Sequence, residues 1–140
     1  MLSRILYVSM NLKFEVNYEK VVEDLSAVLS VIKRESKLCY ILGDFNINLL
    51  NIDSHLATAE FLETMYAFSY LPLITKPTRV TDHSATLIDN IFTNHKIHSH
   101  GFPGIFSTDT SDHFPIFYVD KVITHQHINQ FVKKQTFFRM

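Results

Sequence analysis

The sequence has no tryptophan, one cysteine, three glycines and four prolines in 140 residues. A lone cysteine, Cys39, cannot close an internal disulfide, which excludes a stapled secreted scaffold and leans towards an intracellular setting. The scarcity of glycine and proline, with 46% hydrophobic and 19% charged residues, excludes collagen-like, linker-like and disordered classes. An excess of one charge is also lacking: thirteen Lys and Arg face fourteen Asp and Glu, for a formal net charge of −1. No global positive field is available to hold a polyanion, so any contact with nucleic acid has to be local. Long apolar runs are absent too. Arg4 precedes a short one over residues 5–8, far below a signal-peptide core or a membrane span, so no targeting segment and no membrane partner are expected.

What is present suits one domain of ordinary size with a core rich in phenylalanine, twelve in all beside six tyrosines. Over residues 18–35, Val21, Val22, Leu25, Val28, Leu29 and Ile32 recur at three- and four-residue spacing, with Glu19, Lys20, Glu23, Asp24 and Lys33 opposite. That pattern predicts an amphipathic helix. Residues 38–42 are apolar without interruption before Gly43, as in a strand buried on both faces. Ser54 is placed to cap a second helix running through Leu56, Phe61, Leu62, Met65 and Phe68 and ending near Leu71, before Pro72. Residues 77–84 read as a loop able to carry a short strand, and 86–94 alternate as a strand. Short strands are further expected at 105–107 and 114–119, while the tail from 121 receives no assignment. The organisation predicted is a leader over 1–17, a layered α/β domain over 18–119 and a tail over 120–140.

Three polar groups fall at the ends of these strands: Gly43-Asp44-Phe45-Asn46, Ile88-Asp89-Asn90 and Ser111-Asp112-His113-Phe114-Pro115. Strand ends are where α/β sheets place their sites. An Asp can take a proton from water, an Asn amide can orient an anion, and a second Asp can fix a histidine tautomer. A further carboxylate can hold a hard cation. Cys39, in an apolar strand with no base beside it, reads as a small buried hydrophobe rather than a nucleophile. His95, His98, His100, His125 and His127 read as surface histidines, since no second cysteine accompanies them in a zinc-like spacing.

Taken in order, Tyr40-Ile41-Leu42-Gly43-Asp44-Phe45-Asn46, then Lys76-Pro77-Thr78-Arg79 leading to Ser84-Ala85-Thr86-Leu87-Ile88-Asp89-Asn90-Ile91-Phe92-Thr93-Asn94, then Ser111-Asp112-His113-Phe114-Pro115-Ile116, form a recognisable series. It resembles the C-terminal half of the endonuclease/exonuclease/phosphatase superfamily, which includes deoxyribonuclease I, apurinic endonucleases and the endonuclease domains of non-LTR (LINE-type) retrotransposons. The retrotransposon branch is the nearest in pattern, and the likeness spans roughly residues 18–119.

The resemblance implies a DNase I-like four-layer α/β sandwich, here an incomplete C-terminal half with mainly antiparallel strands and two amphipathic helices. It implies a Mg2+- or Mn2+-dependent phosphodiester hydrolase that nicks DNA. Carried over by motif, Asp44 positions or deprotonates the attacking water, and Asn46 hydrogen-bonds the reacting phosphate. Asp89 orients His113, which stabilises charge on the phosphoryl oxygens, and Asp112 lies close to the metal. Arg79 and Lys96 are the candidates for contact with nucleic acid. The family's metal-binding glutamate belongs to an N-terminal half that precedes the helix at 18–35, where this sequence has seventeen residues. Glu15 stands among them, but its surroundings do not resemble the glutamate motif. Two other outcomes follow from the same motifs: an inactive remnant of a mobile element, or a phosphomonoesterase or inositol phosphatase of the same superfamily.

Overall fold

The computed structural model describes residues 5–12, 18–95, 101–120 and 136–137. They form an α/β arrangement with two helices and three sheets. Strand β1 (Ile5–Asn11) leads to helix α1 (Tyr18–Arg34) and strand β2 (Leu38–Asp44), and β1 pairs parallel with β2 from Ile5 opposite Leu38 to Asn11 opposite Asp44. This β1–α1–β2 unit is the frame of the domain. Helix α2 (Leu56–Ala67) is followed by β3 (Leu71–Pro72), the hairpin β4 (Arg79–Val80) and β5 (Ala85–Thr86), and β6 (Asp89–Thr93). Strands β7 (Gly101–Ile105) and β8 (Ile116–Asp120) make a separate antiparallel ribbon, and β9 (Thr136–Phe137) lies parallel to β1. The main sheet therefore runs β3-β6-β2-β1-β9, with β6 antiparallel to both β2 and β3.

The uninterrupted apolar run in β2 is explained by what covers the sheet. On one face Cys39 and Ile41 meet Leu25, Leu29 and Ile32 of α1 and Phe61, Leu62 and Met65 of α2. On the other, Tyr40 and Leu42 pack with Leu73, Ile91, Ile116 and Tyr118, so the β7–β8 ribbon closes that side. The Tyr40 ring lies between Tyr7 at 5.6 Å and Tyr118 at 5.2 Å. Phe45, Phe61 and Phe92 form a closed triangle of rings in the helix-side core, with centroids 5.2–5.7 Å apart. The outer face of the ribbon is apolar and open, with Phe102 at 52% and Phe106 at 60% exposure. Removing a single methylene from the filled centre, as in Ile41→Val, is expected to cost about 1 kcal/mol in a denaturant titration.

Several expectations change. The leader is not a bystander: its residues 5–11 form β1, between β2 and β9 in the sheet. Ser54 does not cap α2. His55 occupies the cap position without a side-chain cap bond, and the Ser54 hydroxyl donates back to the Asn51 carbonyl at 3.4 Å. The helix stops at Ala67 rather than near Leu71 because Ser69 takes a left-handed backbone (φ 66°). Ser69 N–H then donates to the Tyr66 carbonyl at 2.8 Å and Tyr70 N–H to the Met65 carbonyl at 2.9 Å, the pattern of a Schellman cap made without glycine. The strand expected over 86–94 is split into β5 and β6. Leu87 and Ile88 leave the ladder, giving their carbonyls to Leu49 N–H at 3.0 Å and Phe45 N–H at 2.8 Å. The strand expected at 105–107 is β7, four residues earlier, and the one expected from 114 starts at Ile116. The mainly antiparallel pairing that was expected is present in β2–β6, β3–β6, β4–β5 and β7–β8, while β1 departs from it by pairing parallel with β2 and β9.

Candidate active site

Asp44 ends β2 and Asp89 begins β6, and the antiparallel register sets the two residues directly opposite each other. This pairing alone brings two carboxylates to one end of the sheet. His113 arrives on the segment between the ribbon strands, held by a bridge to Arg79 on β4. The side chains of Asp44, Asp89 and His113 converge, with one ligand atom from each lying within 4.8 Å of the others. Asp89 Oδ2 lies 3.2 Å from His113 Nδ1, at side-chain exposures of 16% and 38%. A carboxylate can only accept, so Nδ1 is the donor and the ring is held through that nitrogen.

The electrostatics of Asp44 differ from those of an ordinary surface acid. Burial pushes its carboxyl above the usual range, and the nearby Asp89 adds to this, while Asn46 N–H, His113 and Arg79 pull the other way. Asp44 Oδ1 accepts Asn46 N–H at 2.9 Å. Because the folded value is raised, ionising Asp44 costs more in the folded chain than in the unfolded one. The protonated form supplies stability that is complete below the unfolded value and is lost as pH rises through the folded value. Asp44→Asn keeps an acceptor for the Asn46 N–H and removes the charge. It is expected to raise the melting temperature at neutral pH, with the gain shrinking in acid; an equal shift at both pH values would contradict this.

The remaining expected site residues are placed differently. Asn46 adopts a left-handed backbone (φ 50°), and its Nδ2 donates to the Leu12 carbonyl at 2.6 Å. Its amide is thus engaged with the end of the β1 segment. Asp112 is not in the Asp44–Asp89–His113 cluster. Its Oδ2 accepts from Arg79 Nε at 2.8 Å, and that guanidinium holds the carboxyl below its ordinary range. Arg79 is accordingly the partner of Asp112, half-exposed beside the cluster. Lys96, Glu15, His98, His100, His125 and His127 lie outside the described residues. Cys39 is fully buried, and burial pushes its thiol up, in keeping with an inert packing residue.

Two residues that stand inside the quoted motifs without an assigned role brace the site. Asn90 is fully buried next to Asp89, and its amide brackets Ile74, donating to the carbonyl at 2.8 Å and accepting the N–H at 3.1 Å. This fixes the loop after β3 against β6. Thr78 is the other, buried where the β4–β5 hairpin, Asp89 and the His113 segment meet. A polar residue inside an apolar strand was the available signal for Asn90; for Thr78 it was only its place in the Lys76-Pro77-Thr78-Arg79 motif.

No protein-family model matches the chain, and no curated protein matches it with significance. The functional reading therefore rests on the site itself and on the order of its motifs.

Proposed function

We propose that the chain carries the hydrolytic site of a metal-dependent phosphodiesterase that nicks DNA, of the retrotransposon-endonuclease kind its motifs resemble. The observation that supports this best is the convergence of Asp44, Asp89 and His113 from three separate segments onto one sheet end. Two acids and an oriented imidazole are the groups that water attack on a phosphodiester calls for. The DNase I-like sandwich belongs to the same proposal, with the ribbon side of the main sheet as the face turned towards a second sheet.

The donor set fits a hard divalent cation, because Asp44 and Asp89 offer carboxylate oxygens and magnesium takes one or two of these beside several waters. Such an ion, when bound, supplies Lewis-acid stabilisation of the phosphoryl group. The chain's own residues do the rest. Asp44, made more basic by burial, takes the proton from the attacking water as the P–O bond to the leaving sugar oxygen breaks, and that oxygen takes a proton from solvent. Asp89 holds His113 through Nδ1, and the protonated ring donates through Nε2 to the phosphoryl oxygen on which charge builds. Arg79, neighbouring the cluster, draws the phosphate backbone towards it.

The test is nicking of supercoiled plasmid with Mg2+. Among the described residues no glutamate joins the cluster, so the 140-residue chain alone is expected to show no detectable nicking. Adding an N-terminal half from a retrotransposon endonuclease is expected to restore nicking that Asp44→Asn abolishes. A reconstituted protein that still fails to nick would sink the proposal in favour of an inactive remnant. Preferential hydrolysis of a phosphomonoester by the same preparation would count for the other branch of the superfamily.

A further inference from the structure

A residue outside the Asp89–His113 pair is hydrogen-bonded to the chain at both ends of it. Thr78 is fully buried, at 0% exposure. Its hydroxyl oxygen accepts the backbone N–H of Asp89 at 3.0 Å and that of Ile88 at 3.3 Å. Its own N–H donates to the Thr86 carbonyl at 2.9 Å, and its carbonyl accepts the N–H of Phe114 at 2.7 Å. One residue thus grips the chain at Asp89 through its side chain and the chain immediately after His113 through its backbone. The neighbouring residues of β4 continue the grip on the histidine segment. Val80 N–H donates to the Asp112 carbonyl at 2.9 Å, and Arg79 Nε to the Asp112 carboxylate at 2.8 Å.

We infer that Thr78 is a positioning residue for the Asp89–His113 pair, its hydroxyl holding Asp89 in register with the histidine segment that its carbonyl anchors. The inference rests on reading that pair as hydrolytic. Asp89 and His113 come from segments 24 residues apart, and Thr78 is bonded directly to the backbone at both. The 3.2 Å separation of Nδ1 and Oδ2 is at the long end of the range for such bonds, so a shift of a few tenths of an ångström in Asp89 removes it. Without the hydroxyl, two backbone N–H groups lose their acceptor, and the chain around Asp89 must move or admit water to satisfy them. The same change does nothing to Asp44, whose opposition to Asp89 comes from the β2–β6 register. Loss of an outer partner that orients a metal-binding residue typically costs about ten- to a hundredfold in metal affinity or activity, and an effect of that order is expected for Thr78.

The experiment compares Thr78→Val, which keeps the shape and removes the acceptor, with Thr78→Ser, which keeps the acceptor and removes a methyl. The readout is the ring 15N signals of His113 in the full chain, which report the nitrogen that carries the proton when the ring is neutral. Thr78→Val is expected to turn a pattern dominated by Nδ1–H into a mixture of tautomers, as Asp89→Ala is also expected to do, and Thr78→Ser to keep the wild-type pattern. In the reconstituted nicking assay, Thr78→Val is expected to lower kcat about ten- to a hundredfold with KM little changed. Thr78→Ser is expected to restore kcat. Wild-type ring signals in Thr78→Val, or their loss in Thr78→Ser, overturn the inference. Should Thr78→Val fail to fold, Thr78→Cys, a weaker acceptor of similar size, takes its place with the same expectation and the same overturning result. The ring signals judge the role of Thr78, whereas nicking that is indifferent to His113→Ala would remove the hydrolytic reading and leave the positioning role standing.

Discussion

His113→Ala is expected to reduce plasmid nicking by the reconstituted protein about a thousandfold while keeping the fold. Loss of one preorganised donor to a developing oxyanion costs about two to three orders of magnitude, and loss of a general acid or base about two to four. His113 has a side chain more than a third exposed, so its removal is expected to leave the buried core intact. Asp89→Asn is expected to cost less, about a hundredfold, because an amide oxygen can still accept Nδ1–H while the charge that favours an imidazolium is gone. Asp112→Ala separates two views of that residue. As a metal ligand it would raise the Mg2+ concentration needed for half-maximal rate. As the partner of Arg79, the arrangement in the structure, it should lower the rate modestly and leave the Mg2+ requirement unchanged. Measuring rate against Mg2+ for the three variants decides between these outcomes.

The parts of this molecule that were legible in the sequence are those in which side-chain pattern and backbone agree. Helix α1 has a clean apolar stripe and β2 is apolar because both its faces are covered, so each was read within a residue or two. The meeting of Asp44, Asp89 and His113 was legible only through the order of the motifs, since β2–β6 pairing spans 45 residues from Asp44 to Asp89 and no local rule specifies it. Strand β1 was missed although Val8 and Met10 alternate with exposed Tyr7 and Ser9; an apolar start of four residues resembled a leader more than a strand. The end of α2 was missed because serine, not glycine, occupies the left-handed position. Thr78 and the turned-in amide of Asn46 were illegible for a further reason. Their roles consist of hydrogen bonds to backbone atoms far away in sequence, and any threonine or asparagine in a loop looks the same until the fold is known.

Gly43→Ala is expected to destabilise the chain by about 3–5 kcal/mol, a large part of the stability that a domain of this size commonly has. Gly43 is the one glycine with a positive φ, 153°, among the described residues, and it stands opposite Met10 in the parallel β1–β2 pairing. A Cβ built there would lie 1.7 Å from the Met10 carbonyl oxygen and 2.8 Å from its carbonyl carbon. Those are backbone atoms of a neighbouring strand, so no rotamer change can relieve the overlap. Holding a side chain in that backbone region costs about 1–3 kcal/mol, and forcing packed elements apart costs about 1–3 kcal/mol more. The consequence reaches the site, because Gly43 immediately precedes Asp44 and the same pairing brings Leu12 within reach of Asn46. Separating β1 from β2 at this point would tilt the end of β2 and move Asp44 away from Asp89 and His113. Thermal unfolding followed by circular dichroism should therefore show a drop of ten degrees or more, about the shift that 3 kcal/mol produces in a domain of this length. An alanine variant that melted within a few degrees of the parent would mean that β1 is held to β2 less closely than the register implies, and the leader strand would lose its place in the frame of the site.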